Sequence, residues 1–550
     1  MNFVVSREDD AASRLAYELA IPYLVAKILV NRGIKNPEES RVFLYGGIQD
    51  LHSPFLFLEM EKAIERIRKA IKEKEKIFIF GDYDADGISA TALLTRGLSS
   101  LGAIVEPFIP NRLSHGYGIK KEFIDRIKSS GATVVITVDN GIKAFDFAEA
   151  ALREGIDFII TDHHLPDEDL PQAYAIINPH VALEAYPDKY LSGVGVAFKL
   201  LHALFLSFGK EAAILPYLKV AALGTVADMV ELKGENRIIV KEGLKQINTS
   251  TSYGLFHLIK SAGLGSKKIT TVDIAFRLAP RLNAAGRMED ASIALQLLLS
   301  RNEREAQQLA QKLNSLNSSR QRMEERILKE AMELAEREEG RVIFLASSSW
   351  HRGVIGIVAH KLVEKFERPA FLFELSEGVA YGSGRSVEGV PLIEGLKAAR
   401  NYLLSYGGHE LAAGAVLEEK HIERVRQIVE EVLSAYEPKE KVKLVDAEIQ
   451  FSEISPVLVK FLSELEPFGI GNPEPLFLSR QVEVVSEPVL FGNNLKFYVR
   501  QREKVLPAVV RGRTDWLGKI RKGDVIDLLY NIRENRFSGC ELAAQHFVKR

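Results

Sequence analysis

The sequence predicts an α/β protein in which a helix-covered parallel sheet is followed by a long helix, a second α/β unit and a C-terminal β module. Apolar runs alternate with charged amphipathic stretches between residues 59 and 300, and residues 302–338 contain neither proline nor glycine. Short apolar runs separated by turn pairs occupy the last hundred residues. A chain of 550 residues is also too long for one hydrophobic core.

Apolar runs without alternation are typical of strands that are buried on both faces of a parallel sheet. Residues 77–80, 133–138 and 158–160 are such runs, and each is bounded by polar turns. The charged helical stretches between them complete βαβ units. We therefore expect an open parallel sheet in the first half of the chain.

Changes in composition divide the chain into five predicted parts. The apolar residues of the long helix recur at helical spacing, and the turn-separated short strands near the C-terminus favour a β-barrel of the OB kind. The parts are a helical N-terminal extension (residues 1–50), an α/β domain (51–300), a linking helix (301–340), a second α/β domain (341–436) and an OB-like barrel (437–550).

Composition argues against a membrane protein and against a disulfide-rich secreted protein. No run of about 18 apolar residues is present, and the acidic first ten residues lack the pattern of a secretory signal. Cys540 is the only cysteine, which excludes an intramolecular disulfide and a cysteine metal cage. We expect a cytoplasmic protein that makes no contact with a membrane.

Basic charge is concentrated near the C-terminus, although the formal net charge of the chain is −2. Residues 491–550 contain 13 Lys and Arg against 6 Asp and Glu. Such a surplus is typical of surfaces that bind nucleic-acid phosphates. A solvated basic face has the same composition, so charge alone leaves both interpretations open.

Acidic residues and histidines follow three of the predicted strands directly. Because ligands bind at the carboxyl edge of open α/β sheets, these side chains are expected to meet there. Asp228 joins them as an acid within the apolar stretch 220–230, where a solvated face is not expected. The residues that follow the strands are Asp82, Asp84 and Asp86, then Asp139, then Asp162, His163 and His164.

This set has the chemistry of a two-metal site. Carboxylates and neutral imidazole are the ligands expected for Mg²⁺ or Mn²⁺, and two such ions about 3.5–4 Å apart promote phosphoryl transfer. A lone acid such as Asp86 is equally typical of a helix cap, but so many close carboxylates would repel one another without cations. Asp139, on the central turn, is the candidate bridging ligand. The six expected ligands are Asp82, Asp84, Asp86, Asp139, His163 and Asp228.

Four segments resemble the motifs of DHH phosphoesterases in their usual order. They are Gly81 to Gly87, the turn at residues 138–141, the triplet 162–164 and residues 224–228. All four in order are far more specific than the Asp-His-His triplet alone. The resemblance implies that residues 51–300 are a DHH phosphoesterase domain.

Further segments resemble the branch of this superfamily that degrades single-stranded DNA. Residues 277–287 are similar to its arginine-bearing segment, and residues 407–414 to the glycine-rich signature of the DHH-associated domain. The N-terminal segment and the C-terminal β module also resemble the corresponding parts of that branch, in which the C-terminal module is an OB-fold. The resemblance implies a 5′→3′ exonuclease of DNA repair and recombination that releases 5′-mononucleotides. Single-stranded DNA is then the substrate, and a single-strand-binding protein or a helicase is the expected protein partner.

The resemblance also implies roles around the scissile phosphate. We expect His164 to contact the phosphate or transfer a proton, and Asp162 to orient its neighbours. Arg281, Asn283 and Arg287 are expected to bind the scissile phosphate or the phosphates beside it.

A second group of residues is expected to bind phosphate, and Ser383 and Arg385 form the candidate pocket for the terminal phosphate. Ser383 and Arg385 offer a hydroxyl and a guanidinium, and Arg112 is expected to assist from the first domain. Gly408 would let the backbone approach a phosphate beside the imidazole of His409. Exposed salt bridges are the alternative for both arginines, and a capping turn with a packed histidine is the alternative for Gly408 and His409.

Two other functions are compatible with the metal chemistry or the fold. A DHH phosphodiesterase that acts on short oligoribonucleotides or cyclic dinucleotides generally lacks the N-terminal extension and the C-terminal β module. A non-catalytic DHH-fold scaffold of replication or repair loses metal ligands. Both extensions and all expected ligands are present here, which favours the exonuclease.

Overall fold

The computed structural model describes residues 2–6, 9–112, 114, 116, 118–250, 252–440, 442–535 and 538–550. The chain begins with a short strand and three helices. Asp9 caps the first helix by accepting from the backbone N–H of Ala11, and Asn36 caps the third, which starts at Pro37. These elements are β1 (Asn2–Val5), α1 (Asp10–Leu19), α2 (Tyr23–Asn31) and α3 (Pro37–Tyr45).

The first α/β domain contains a five-stranded parallel sheet and confirms the three predicted strands. Its order along the sheet is β3-β2-β4-β5-β6. Gly81 pairs with Val138, and Val138 pairs with Thr161, so three strands end at the same level. The elements are α4 (Met60–Glu73), β2 (Lys76–Gly81), α5 (Ala85–Ser100), β3 (Ile104–Phe108), α6 (Ile124–Ser130), β4 (Ala132–Val138), α7 (Phe145–Arg153), β5 (Asp157–Thr161) and β6 (Ala175–Ile177).

A helical region completes this domain and leads into the predicted linking helix, which is confirmed. The 33 residues of α15 extend for about 50 Å, and Asn302 caps its first turn. A π-helical segment, Ile274–Leu278, lies between α12 and α13. The helices are α8 (Gly193–Ser207), α9 (Leu218–Ala227), α10 (Gly234–Thr249), α11 (Tyr253–Ser261), α12 (Thr271–Asp273), α13 (Ala279–Met288), α14 (Ser292–Leu299) and α15 (Glu303–Ala335).

The second α/β domain contains a mixed sheet in the order β10-β11-β9-β8-β7, in which only β7 and β8 are parallel. Its helix α16 packs against β8, β9 and the linking helix. The elements are β7 (Ile343–Ser347), α16 (Arg352–Phe366), β8 (Ala370–Ser376), β9 (Val379–Arg385), α17 (Leu392–Ala398), β10 (Ser405–Gly408), β11 (Ala412–Glu418) and α18 (Ile422–Leu433).

The last hundred residues confirm the predicted OB-like β module. β14 pairs with β18 on one side and with β16 on the other, so that five strands surround a common core. The buried Cys540 lies in the last strand. The elements are β12 (Val442–Val445), β13 (Ala447–Glu448), α19 (Pro456–Glu464), β14 (Phe477–Val484), β15 (Val489–Phe491), β16 (Asn494–Gln501), β17 (Lys504–Arg511), β18 (Val525–Asn535) and β19 (Gly539–Lys549).

The two ends of the chain share one hydrophobic core, which composition did not reveal. Buried side chains of α1–α3 belong to the same apolar cluster as those of α19 and the barrel, and β1 pairs in parallel with β12. Arg32 donates to Asn472 Oδ1 (2.7 Å) and lies 3.5 Å from Asp446 in a buried ion pair. The N-terminal helices and the barrel are therefore one packed unit.

Arg237 of α10 joins this unit to the first α/β domain. Its buried guanidinium donates to the carbonyl oxygens of Phe43, Leu465 and Glu466, among others. Burial lowers the pKa of Arg237 to about 9, and the carbonyl dipoles compensate part of the lost hydration.

Among the described residues, no helix combines the length and the apolar character that crossing a bilayer requires.

Candidate metal centre and phosphate cleft

The first acidic loop follows β2 and starts α5. Asp84 is the N-cap, and its Oδ1 accepts from the backbone N–H groups of Asp86 (2.9 Å) and Gly87 (3.1 Å). Asp82 is buried beside it, and a Cβ at Gly87 would lie 2.6 Å from the Asp82 backbone. The cap of α5 is therefore Asp84 and not Asp86, so the cap alternative considered for Asp86 is wrong, and Asp84 is also part of an acidic group.

Asp86 is held by the start of a second helix. Its two carboxylate oxygens accept from the backbone N–H groups of Gly193 (2.8 Å) and Val194 (2.9 Å). N–H groups in the first turn of a helix such as α8 have no partner within the helix, so they can bind a carboxylate. A Cβ at Gly193 would lie 2.4 Å from Asp139 Oδ1, so glycine is required for this approach. The helix start therefore positions one acid and makes room for another.

Asp139 occupies the turn after β4 with a φ of +62°. A non-glycine residue in this region costs on the order of 1–3 kcal/mol, and such strain clusters at functional sites. The backbone N–H of Asp139 donates to Thr161 O (3.0 Å), and Asn140 Nδ2 donates to Val138 O (2.9 Å). These bonds hold the turn against the end of β5.

His163 and Asp228 complete the acidic set. His163 Nε2 lies 3.2 Å from Asp139 Oδ1 and 3.7 Å from Asp228 Oδ2. Asp228 ends α9, at the far side of the group. Ligand atoms lie within 4.8 Å of one another in three sets, namely Asp82–Asp84–Asp139, Asp86–His163–Asp228 and Asp139–His163–His164. We call the six predicted ligands, which these sets bring together, the acidic edge.

The electrostatics of the acidic edge favour a bound cation. Burial, followed by repulsion from Asp84, raises the pKa of the Asp82 and Asp139 carboxyls well above the usual range. Burial and then the charge of Asp139 do the same for Asp86. Within the described residues, Asp82 Oδ1 and Asp228 Oδ2 are buried without a hydrogen-bond partner. Divalent cations would satisfy these oxygens, so the residues fit the predicted metals.

Asp162 supports the third loop and His164. Its carboxylate accepts from the backbone N–H groups of Ile142 (3.0 Å), His163 (2.8 Å) and His164 (3.1 Å). The ring Nδ1 of His164 lies 2.7 Å from the same carboxylate, and the His164 side chain is 44% exposed. Burial opposes ionisation of Asp162, but the histidine contacts outweigh it and lower its pKa. Asp162 is thus placed to orient the loop, as predicted.

Arg112, Arg320 and Arg385 lie close enough to Arg287 for their charges to act on it, as does Asp84 of the acidic edge. We call Arg112, Arg287, Arg320 and Arg385 the arginine cluster. Arg287 Nη1 donates to Gly353 O (3.0 Å) at the start of α16. Burial, and then the charges of the other three arginines, lower the pKa of Arg287 to about 9. Cations brought together in this way are stabilised by an anion, and phosphate is the matching ligand.

The arginine cluster touches the acidic edge through Tyr83. The Arg112 guanidinium lies 4.9 Å from the centre of the Tyr83 ring. Burial, and then the charge of Asp82, raises the pKa of Tyr83 to about 12, although the charge of Arg112 opposes this shift. Arg385 Nη1 donates to Gly384 O (2.7 Å) and Ser383 Oγ (3.3 Å). The predicted terminal-phosphate residues therefore come together with Arg287.

Two other predicted phosphate-binding residues already have protein partners. Asn283 Oδ1 accepts from the backbone N–H of Ala85 (2.7 Å), the first residue of α5. Arg281 donates to Asn314 Oδ1 (3.1 Å) and Arg277 O (2.6 Å). The structure gives Asn283 a contact with the acidic loop that sequence reasoning did not anticipate.

Gly408 and His409 lie at the sheet edge near Ser383 and Arg385. Gly408 has a φ of +133° and pairs with Ala413, which in turn pairs with Gly384. This places Gly408 two strands from Gly384, and the exposed His409 donates its backbone N–H to Ala412 O (2.8 Å). The capping-turn alternative is therefore wrong for this segment, because Gly408 ends a strand.

Sequence reasoning missed three contributors to the site. Arg320 lies in the middle of a helix that looked like a linker, and the backbone of Gly193 and Val194 binds Asp86. The Ser192-Gly193-Val194-Gly195 start of α8 was an available signal, since exposed N–H groups at a helix start bind anions. The position of Arg320 had no local signal.

Comparisons with known proteins decide the family. Family models match residues 76–225 (DHH family, N-terminal domain), 339–435 (DHHA1 domain) and 445–544 (RecJ OB domain). The chain is 36% identical over 498 residues to the single-stranded-DNA-specific exonuclease RecJ of Escherichia coli, covering 86% of this chain and 85% of that protein. The chain belongs to the RecJ family of single-stranded-DNA-specific exonucleases.

Other RecJ proteins extend the comparison. RecJ of Bacillus subtilis is 40% identical over 483 residues, which span 86% of this chain but only 61% of that longer protein. The crystal structure of RecJ from Thermus thermophilus in complex with Mn²⁺ has a TM-score of 0.85 and 31% identity, and covers 100% of this chain and 80% of that one. A Mg²⁺ complex of the same RecJ has a TM-score of 0.79. The predicted family, exonuclease class and metal type are confirmed.

Proposed function

We propose that this RecJ-family chain hydrolyses single-stranded DNA from its 5′ end, in the 5′→3′ direction, and releases 5′-mononucleotides. The 5′→3′ direction comes from the resemblance to this family, and one observation carries the placement of the reaction at a strand end. The acidic edge, which suits divalent metals, and the arginine cluster, which suits a phosphate, meet at Tyr83 and Arg112. A strand whose terminal phosphate is bound by the cluster then presents its next linkage near the metals.

The acidic edge is proposed to bind two divalent ions, Mn²⁺ or Mg²⁺, with Asp139 as the shared ligand. Bound there, such ions supply water activation and stabilisation of the leaving oxygen. The proposed ligands are Asp82, Asp84, Asp86, Asp139, His163 and Asp228.

His164 and Asp162 are proposed to act on the phosphate from the exposed side. Asp162 engages Nδ1 of His164 and so fixes the orientation of the ring. We assign this ring to the phosphate or to a proton at the leaving oxygen. Arg281 and Arg287 are proposed to bind phosphates beside the scissile bond. Asn283 positions the first acidic loop through Ala85.

The terminal-phosphate pocket is proposed to consist of Ser383, Arg385 and Arg112, with Gly408 and His409 at its rim. Its support is the hydrogen bond between Arg385 and Ser383 and the proximity of Arg112 to both Arg385 and Tyr83. A pocket that ends the cleft makes the enzyme begin at a terminus. It also gives the terminal phosphate a charge-assisted contact.

The five-part division at residues 50, 300, 340 and 436 stays a proposal, as do a cytoplasmic location and protein partners. A single-strand-binding protein or a helicase fits an enzyme that acts on unpaired DNA. The basic surplus of residues 491–550 favours DNA contact by the barrel.

Labelled strands test this proposal. The pure protein with Mn²⁺ is incubated with single strands that carry a label at the 5′ or the 3′ end, and with a circular single strand. We expect early release of the 5′ label as a mononucleotide and an intact circle. First release of the 3′ label, cutting of the circle, or a preference for dinucleotides over long strands would contradict it.

A further inference from the structure

A continuous helix leads from the phosphate cleft to the barrel domain. Residues 271–288 run without interruption through α12, the π-helical segment and α13. The first residue, Thr271, donates its hydroxyl to Phe468 O (2.7 Å) beside the barrel. At the other end, Asn283 contacts the acidic loop and Arg287 belongs to the arginine cluster.

Phe276 lies roughly on the side of this helix that carries Asn283 and Arg287. It precedes Asn283 by seven residues and Arg287 by eleven, which is close to two and three helical turns. The wider π turn shifts this face by only part of a turn. Phe276 therefore lies about 10 Å along the helix from Asn283 and roughly on the same face.

The Phe276 side chain is exposed, on a helix that also carries two arginines. The ring is 76% exposed, and Val272, one turn earlier, is 62% exposed. Ile274 and Leu278 are buried on the opposite side, so the exposure of Phe276 follows from the fold. Arg277 and Arg281 lie on the same helix. An exposed aromatic ring on a helix that also carries cations has the chemistry of a surface that stacks bases and attracts a phosphate backbone.

We propose that Phe276 stacks on a nucleobase of the substrate strand between the cleft and the barrel. This inference rests on the proposed function, since it requires a strand that runs from the cleft toward the barrel. A base can stack on a side chain only when it is unpaired, so Phe276 is a specificity-determining residue that favours single strands over duplex. The strand then contacts the helix through its base at Phe276 and through its phosphates at the arginines.

An abasic scan tests the stacking directly and does not depend on catalysis. Binding of a 5′-phosphorylated labelled oligonucleotide is measured by fluorescence anisotropy in EDTA, with one abasic site moved stepwise from the 5′ end. For the unmodified protein we expect one internal position at which the lost base weakens binding about fivefold to a hundredfold. In Phe276→Ala this penalty should disappear, and in Phe276→Trp it should remain.

Tyr17→Ala is the matched control, because Tyr17 is an aromatic residue of α1 that is 90% exposed. It should keep the abasic profile of the unmodified protein. Identical abasic profiles for Phe276→Ala and the unmodified protein would overturn the inference. The polarity of label release tests the proposed function separately, because it is read from products, whereas the abasic profile is read from affinity.

Discussion

The acidic edge and the arginine cluster carry opposite charges and are assembled in different ways. Every acid of the edge lies within residues 82–228 of one α/β domain, at strand ends or helix ends. The cluster combines Arg112 from that domain, Arg287 of α13, Arg320 of the linking helix and Arg385 of the second sheet. The proposed metal ligands thus belong to one α/β domain, whereas the proposed end recognition depends on the packing of two domains.

The largest effect is expected from Asp139→Ala, which removes the proposed shared ligand. Losing several kcal/mol of transition-state stabilisation lowers turnover by about a thousandfold or more, since each 1.36 kcal/mol is about tenfold. Single-turnover hydrolysis at saturating Mn²⁺ measures this. Asp146→Ala, at an exposed acid in the first turn of α7, should keep full turnover. Retention of more than about a tenth of the rate by Asp139→Ala would disprove the shared-ligand assignment.

Arg385→Ala should change end recognition and leave the acidic edge intact. A charge-assisted arginine contact contributes about 1.5–3 kcal/mol, so the preference for a 5′-phosphate over a 5′-hydroxyl should shrink by roughly ten- to a hundredfold. Competition between the two substrates measures the preference. Arg424→Ala changes an exposed arginine of the same domain and should not alter it. If Arg385→Ala lost the same fraction of activity on the 5′-phosphate and the 5′-hydroxyl substrate, end recognition would not be separate from the chemistry of the acidic edge.

Glu324→Gln should weaken the packing of the linking helix against α16, which positions Arg320 of the cluster. The buried Glu324 accepts from Arg320 Nη1 (2.6 Å) and pairs with Lys361 of α16. Breaking a buried ion pair costs about 3–5 kcal/mol of the free energy of unfolding, so Tm should fall in thermal melts. Turnover at saturating substrate should change little, because no acid of the edge is touched. Glu325→Gln, at the exposed neighbouring position, should leave Tm unchanged.

The smallest effect is expected from Asn283→Ala, which removes a contact between the helix of Arg287 and the acidic loop. Loss of one hydrogen bond to Ala85 costs about 1 kcal/mol, and we expect turnover to fall by about fivefold. Asn248→Ala is the matched control, because Asn248 Oδ1 accepts from Ile269 N at the same distance of 2.7 Å. An equal loss of turnover in both variants would show that Asn283 has no special connection with the site.

Sequence reasoning succeeded where function depends on local order along the chain. Acids after successive strands predicted the acidic edge, because parallel strands end at one side of a sheet. Contacts between distant segments were not predictable, such as the approach of Arg320 to Arg287 or the bonds from Gly193 to Asp86.

The common core of the N-terminal helices and the barrel has a consequence for biosynthesis. Residues 10–45 leave the ribosome long before residues 445–544 are made, and translation at about 5–20 residues per second separates them by roughly 20–80 s. During that interval Leu15, Leu29 and Leu44 lack the apolar surfaces that cover them in the finished protein. These helices are therefore synthesised long before they can reach their native packing, and until the barrel is made they need protection from aggregation.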